Sequence, residues 1–106
     1  MSDGAPIANA ERGEASIVVD GRAVLLRPTF AALVAAEEEL GPLFALVERA
    51  AEGRLALGEI AALFWHCAFP RGALTRDAVG DAVLDMGLAA AAKPLRSLLG
   101  QILQGR

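Results

Sequence analysis

The sequence predicts an α+β fold that is mostly helical, with an N-terminal two-stranded β-hairpin followed by four or five short helices. Three observations indicate it. Asp20-Gly21 separates two apolar runs, which is the strongest short-range signal for a hairpin. After Pro28 the apolar residues recur with the helical period of about 3.6 residues. Glycine and proline then divide the rest of the chain into short segments.

The predicted hairpin joins strands at residues 15–19 and 22–27. A two-residue turn places Ile17 opposite Val24, and this face has the greater apolar bulk, so we expect it to cover the helices. A lone hairpin is marginally stable in water and must pack on helices or on another chain. The opposite face is half apolar and supplies three candidate partner-contact residues: Val18, Ala23 and Leu25.

Glu14 and Arg27 lie opposite each other at the open end of this hairpin. An opposite-charge pair directly across two strands stabilises a sheet by roughly 0.2–1 kcal/mol. We therefore expect these two side chains to form an ion pair on the face away from the helices.

Threonine and glycine residues set the predicted helix boundaries. Thr29 and Thr75 are good N-caps, because a side-chain oxygen there accepts a hydrogen bond from a free N–H of the first turn. Gly41 and Gly87 are suited to end helices. The five predicted helices span about residues 30–40, 42–52, 57 or 58 to 69, 76–86, and 89 or 94 to 104.

Length and composition predict one domain at residues 11–106, preceded by a flexible lead-in at residues 1–10. A chain of 106 residues fits one domain, and its first ten residues are mostly small and polar. Hydrophobic residues make up 55% of the chain but aromatic residues only 5%. Because much of the apolar fraction is alanine, which buries little area, we expect a shallow core.

Charge and hydropathy exclude several classes of function. A net charge of −3 with scattered Lys and Arg argues against nucleic acid binding, which needs a basic surface. No apolar run approaches the roughly 20 residues that span a membrane, and the N-terminus lacks the pattern of a signal peptide. One cysteine, Cys67, fits a reducing compartment. These features predict a cytoplasmic protein.

His66 and Cys67 are the only candidates for catalytic chemistry. Neighbours on a helix point about 100° apart, so the two side chains do not readily face each other. Their surroundings are apolar, and the glycines match no phosphate-binding motif. We therefore predict a core or interface position for this pair, no enzymatic activity, no cofactor and no metal.

The acidic residues of the predicted helices allow two interpretations. Asp77, Asp81 and Asp85 recur every four residues and form one stripe, which is most simply a solvated face. The alternative is a docking surface for a basic partner, since like charges at this spacing repel without one. The run at residues 37–39 is simply tolerated at a helix end, because consecutive residues splay around the axis.

The third predicted helix is apolar on two sides. Such a helix is either central in the core or partly covered by a partner. One side carries Ile60, Leu63, Phe64 and Cys67. The other side adds two candidate contact residues, Trp65 and Phe69.

A specific string of residues also resembles a known family. It comprises Asn9, Arg12-Gly13-Glu14, Ile17 to Val19, Asp20-Gly21 and Leu26-Arg27-Pro28-Thr29-Phe30. This string resembles the phage tail assembly chaperone family of gene transfer agents and related prophages, also described as a tail tube protein family. The resemblance extends from about Asn9 to Gly100.

The resemblance implies a non-catalytic role. Chaperones of this kind bind the tape measure protein, a long helical polypeptide, and keep it soluble until tube subunits polymerise around it. The tail tube protein is a further expected partner, and self-association is also compatible. The alternative is a structural tail tube or tail-completion component retained in the particle. A small helical protein can cover amphipathic helices in a groove, and a free hairpin edge can accept a strand.

Overall fold

A computed structural model describes residues 13–105. Along this range the elements are β1 (Ala15–Val19), β2 (Arg22–Leu26), α1 (Phe30–Leu40), α2 (Leu43–Ala51), α3 (Leu57–Cys67), β3 (Ala68–Phe69), α4 (Arg76–Met86) and α5 (Leu88–Gln104). This order confirms the predicted α+β class, mostly helical with an N-terminal hairpin. The predicted lead-in at residues 1–10 lies outside the described residues.

The hairpin has the predicted two-residue turn and register. Asp20 and Gly21 have φ of 52° and 77°, and two positive φ values are what a type I′ turn requires. Ile17 pairs with Val24, which confirms the register. Ile17 and Val19 are buried, and β1 packs against α4 and α5, so the predicted inner face does cover helices.

The segment after α3 differs from the prediction. A helix through Phe69 was expected, but α3 ends at Cys67 and Ala68–Phe69 forms β3, antiparallel to β2. Phe69 lies directly opposite Leu25, giving a sheet in the order β1-β2-β3. The physical reason is Pro70, because a residue before proline is driven out of the helical region towards extended conformations.

Helix α5 begins earlier than predicted and runs through a proline. The expected start was Ala89 or Pro94, but the helix begins at Leu88 and continues unbroken to Gln104. Pro94 lacks the N–H that would bond to the fourth residue before it. Pro94 is nevertheless buried together with Leu98 and Leu99, and this packing with the preceding alanines holds the helix together.

Both threonine caps are confirmed. Thr29 Oγ1 accepts a hydrogen bond from the N–H of Ala32, and Thr75 Oγ1 accepts one from the N–H of Ala78, each at 3.1 Å. Gly41 and Gly87 follow the last residues of α1 and α4, as predicted. The first and fourth helices therefore begin and end where their own sequences specify.

Helix α3 is at the centre of the buried core. It contacts α1, α4 and β2, and Leu63 and Phe64 are fully buried. The largest other fully buried side chains come from β2, α2, α4 and α5: Leu25, Leu26, Leu46, Leu98, Val79 and Val83. The central position, rather than cover by a partner, therefore explains the apolar side that carries Leu63 and Phe64.

The residues just before β1 pack closely against α5 and the hairpin. Gly13 has φ of 74°, and a Cβ at this position would lie 2.2 Å from Cβ of Gln101 on α5. Glu14 is buried, and its Oε2 lies 3.0 Å from Nε of Arg27, which confirms the predicted ion pair. Part of the string that carries the family resemblance thus has a direct role in closing the hairpin onto α5.

Candidate functional site

The three hairpin residues predicted to contact a partner are not equally accessible. Val18 is 64% exposed and Ala23 is also exposed on the outer face. Leu25 is only 2% exposed, so it presents no surface to a partner in this structure, and that part of the prediction is wrong. The reason is β3, which lies beside β2 at this point and brings Phe69 opposite Leu25.

Trp65 is used mainly within the fold. Its indole Nε1–H donates to the carbonyl oxygen of Leu74 at 2.9 Å. The guanidinium carbons of Arg71 and Arg76 lie 4.1 and 4.6 Å from the ring centroid, within the range of cation–π attraction. The ring is therefore half-buried and already covered in part by two cations.

Phe69 is the more accessible of the two predicted aromatic contacts. It is 49% exposed, and the guanidinium of Arg27 lies 4.5 Å from the centroid of its ring. Phe69 thus retains accessible apolar surface beside the ion pair of Arg27.

A polar cluster links three helices. Glu39 on α1 accepts hydrogen bonds from both terminal nitrogens of Arg76 on α4, and its Oε1 lies 2.8 Å from Nε2 of His66 on α3. Arg76 also approaches Nε2 of His66, at 3.3 Å. The expectation that residues 37–39 are merely tolerated is therefore wrong for Glu39, which joins α1 to both other helices.

The electrostatics of this cluster follow from its hydrogen bonds. The bonds from Arg76, and then that from His66, lower the pKa of Glu39 to about 2. The hydrogen bond to Glu39 raises the pKa of Arg76. Both groups are therefore charged at neutral pH. Nδ1 of His66 is buried and makes no hydrogen bond with any residue between 13 and 105.

The neighbouring thiol is unsuited to nucleophilic chemistry. Cys67 is 1% exposed, and burial raises the pKa of its thiol to about 12. The thiolate is the reactive form of cysteine, so this side chain is inert at neutral pH. The geometry thus gives no support to a His66–Cys67 catalytic pair.

The acidic stripe on α4 is exposed and divides between two grooves. Asp77 and Asp81 line a groove between α3 and α4, whereas Asp85 lines a groove between α4 and β1. Val18 borders the second groove, so the structure brings Val18 and Asp85 together. The three aspartates form no ion pair with any residue that the structure describes.

The α3–α4 groove is open and apolar at its base. Its volume is about 470 Å³. The base is formed by small residues, Ala61, Ala62 and Gly80, and the sides by two exposed leucines and two aspartates, Leu57, Leu84, Asp77 and Asp81. This shape can accept side chains from a partner.

A second open groove lies between α2 and α5. Its volume is about 500 Å³. Small residues again contribute, Ala50, Ala51, Ala92 and Gly100, and larger apolar residues flank them, Val47, Leu95, Leu99 and Leu103. Among the residues that the structure describes, Arg96 is the one charged residue that lines this groove, and its positive charge is opposite to that of the aspartates in the α3–α4 groove.

Two further observations concern metals and membranes. Within residues 13–105 no group of three or more His, Cys, Asp or Glu side chains is placed to hold a metal ion. None of the described helices combines the length and the apolar character that crossing a membrane requires.

Comparison with known proteins identifies the family. A family model described as phage tail tube protein, GTA-gp10, matches residues 12–105. The chain belongs to this gene transfer agent tail family. No curated protein and no solved structure matches it. The match confirms the resemblance at the level of a phage tail family, but it does not identify a chaperone specifically.

The family assignment and the grooves depend on different signals in the sequence. The family match includes the string at residues 12–30. In the described part of this string, Glu14 and Arg27 pair at the open end of the hairpin, and Thr29 caps α1. The grooves depend on small residues in helices that are far apart in the chain, such as Ala62 with Gly80. Sequence reasoning found the aspartates of α4 by their spacing but missed the grooves, since no local pattern predicts which helices become neighbours.

Proposed function

We propose that this member of the GTA-gp10 family is a non-catalytic tail assembly chaperone. It would act in the cytoplasm, bind the tape measure protein and assist assembly of the tail tube in a gene transfer agent or prophage. The single observation that carries the proposal is the pair of open grooves, α3–α4 and α2–α5, each based on alanine and glycine.

The physical argument starts from the partner. A long amphipathic helix exposes an apolar stripe that aggregates in water unless something covers it. Helix-in-groove recognition buries such a stripe, using anchors spaced three or four residues apart. Small residues at the base of a groove let a partner helix approach closely, as Ala62 and Gly80 would do here.

A second candidate function is a structural tail tube or tail-completion subunit that stays in the particle. The description of the matching family model favours it, because that description names a tail tube protein. A tube subunit needs two different, complementary patches, since a ring closes through head-to-tail contacts. Phe69 is exposed and lines neither groove, so the chain has more than one exposed apolar feature that could make such contacts.

Co-expression tests the chaperone. The chain is expressed together with the large tail protein encoded beside it, and the soluble fraction of that protein is measured by quantitative immunoblot. We expect its solubility to rise several-fold and the two proteins to co-purify. The comparison is with the double variant Gly80→Leu/Gly100→Leu. The leucines fill both grooves, so this variant should no longer raise the solubility of the tail protein. Unchanged solubility without co-purification would contradict the proposal.

Purified particles separate the two candidates. A chaperone is expected to be absent from finished particles, whereas a tube subunit is present in stoichiometric rings. Immunoblotting of particles against a dilution series of the purified chain gives its copy number. A copy number that matches the major tail subunit would establish the structural role instead.

A further inference from the structure

We propose that the α3–α4 groove binds an amphipathic helix that carries Lys or Arg beside its apolar stripe. This inference rests on the proposed function and deepens it, because it selects one of the two grooves and states the chemistry of the partner. Three features support it: a glycine at the base of the groove, exposed leucines at its sides, and carboxylates that form no ion pair with any residue in the range 13–105.

The first feature is Gly80, in the middle of α4. Glycine in a helix interior is less favourable than alanine, because it loses more conformational freedom on folding. Its backbone does not require glycine, and a Cβ added there would meet no atom of residues 13–105 within 4 Å. No contact with the described part of the chain therefore explains Gly80. What it does is keep the base of the groove open.

The second feature is apolar surface at the sides of the groove. Leu57 on α3 is 38% exposed and Leu84 on α4 is 61% exposed. They border a base formed by Ala61 and Ala62, which are buried. The groove thus offers an apolar base with apolar flanks, as the stripe of an amphipathic helix requires.

The third feature is charge. Asp77 and Asp81 repel each other at a spacing of four residues, and neither forms an ion pair with a residue in the described part of the chain. Arg76 also lines the groove, but its guanidinium is paired with Glu39. The free charge of the groove is therefore negative, and a complementary partner is positive.

Charge also argues against three other occupants of this groove: a second copy of the chain, a nucleic acid and an anionic membrane. A second copy docked through the same surface would bring Asp77 and Asp81 against their own equivalents. Nucleic acids and anionic membranes are repelled by the same carboxylates. From Asp77 to Leu84 the helix rises by about 10 Å, so the groove accommodates roughly two turns of a partner helix. A basic amphipathic helix satisfies both the apolar and the charged requirement.

Peptide binding tests the charge requirement. The probe is a fluorescein-labelled synthetic helix of about 18 residues, built from Leu, Ala and Lys with one leucine stripe flanked by lysines. Its matched control replaces each Lys with Glu. Fluorescence anisotropy is expected to show binding of the lysine peptide, with the glutamate peptide weaker by about tenfold or more. The double variant Asp77→Asn/Asp81→Asn should weaken binding of the lysine peptide and make that binding less dependent on salt concentration.

Glycine variants test the groove itself. Gly80→Ala should raise the melting temperature, and Gly80→Leu should abolish peptide binding while circular dichroism shows a folded protein. Gly100→Ala is the matched control for melting and Gly100→Leu for binding, because Gly100 is also helical and lines the α2–α5 groove, and a Cβ added there would meet no atom of residues 13–105 within 4 Å. Gly100→Ala should raise the melting temperature as Gly80→Ala does, and Gly100→Leu should leave peptide binding unchanged.

The outcomes distinguish this inference from the proposed function. Equal binding of both peptides, no binding of either, or unchanged binding to folded Gly80→Leu would overturn the α3–α4 assignment. If the chain still solubilises the tail protein in that case, the chaperone stands and uses another surface. Loss of binding to folded Gly100→Leu instead would assign the helix to the α2–α5 groove and also overturn the inference.

Discussion

Arg27 and Glu14 form an ion pair that ties the open end of the hairpin together, with Nε of the arginine 3.0 Å from Oε2 of the glutamate. Glu14 is only 5% exposed, whereas 37% of the Arg27 side chain remains exposed. The backbone N–H of Arg27 also donates to the carbonyl oxygen of Cys67 at 2.7 Å. One residue thus connects both strands of the hairpin to the end of α3.

Removing this arginine should destabilise the fold. Arg27→Ala is expected to lower the free energy of unfolding by about 1–3 kcal/mol, because the buried carboxylate of Glu14 loses its ion pair with Arg27. Urea unfolding followed by circular dichroism measures the change. Arg22→Ala is the matched control, since Arg22 is an exposed arginine at the other end of β2, and its effect should stay within about 0.5 kcal/mol. Equal losses in both variants would contradict the role of the ion pair.

Gly13 should tolerate no side chain. Gly13→Ala places a Cβ 2.2 Å from Cβ of Gln101 and also requires alanine at φ of 74°. Gly53→Ala is a close control, because Gly53 has φ of 71° and an added Cβ would meet no atom of the described residues within 4 Å. The conformational cost alone is about 1–2 kcal/mol, so we expect Gly53→Ala to lose that amount and Gly13→Ala clearly more. Equal melting temperatures for the two variants would mean that α5 shifts to accommodate the added Cβ with no loss of stability.

Features that depend on neighbouring residues were predicted from the sequence. The turn at Asp20-Gly21, the caps at Thr29 and Thr75, and the pairing of Glu14 with Arg27 all follow from local or cross-strand spacing. Each of these is set by residue type and turn length, which the sequence displays directly.

Features that depend on tertiary context were not predicted. Ala68–Phe69 continues a helical pattern, and its extended conformation also depends on pairing with β2. Pro94 is tolerated in α5 because the surrounding packing offsets the lost hydrogen bond. Glu39 lies 27 residues from His66 and 37 from Arg76, so no spacing rule connects them. The candidate contact residues were chosen from the spacing of apolar and charged residues in the sequence, and only the fold shows which of them share a groove.

The Glu39 cluster should make stability depend on pH in the acid range. The pKa of Glu39 is lowered from 4.5 to about 2, so its stabilising contribution is fully present above pH 4.5 and is lost as the pH falls towards 2. Glu39→Gln is therefore expected to lower the melting temperature at pH 7, with a difference from the wild type that shrinks between pH 4.5 and pH 2. Glu38→Gln is the control, because Glu38 is exposed and has no ion pair among the described residues. A difference independent of pH would exclude this electrostatic origin.

Cys67 should resist alkylation until the protein unfolds. The thiol is buried beside β3 and its pKa is raised to about 12, so almost no thiolate exists at pH 8 and reagents have little access. Iodoacetamide labelling followed by mass spectrometry is expected to be slower than labelling of a free cysteine by about 100-fold or more, and to reach full modification in denaturant. Ala23→Cys in a Cys67→Ala background supplies an exposed thiol on the hairpin as the control. Rapid labelling of native Cys67 would show that the end of α3 and β3 opens readily, because access to this thiol requires that segment to separate from the core.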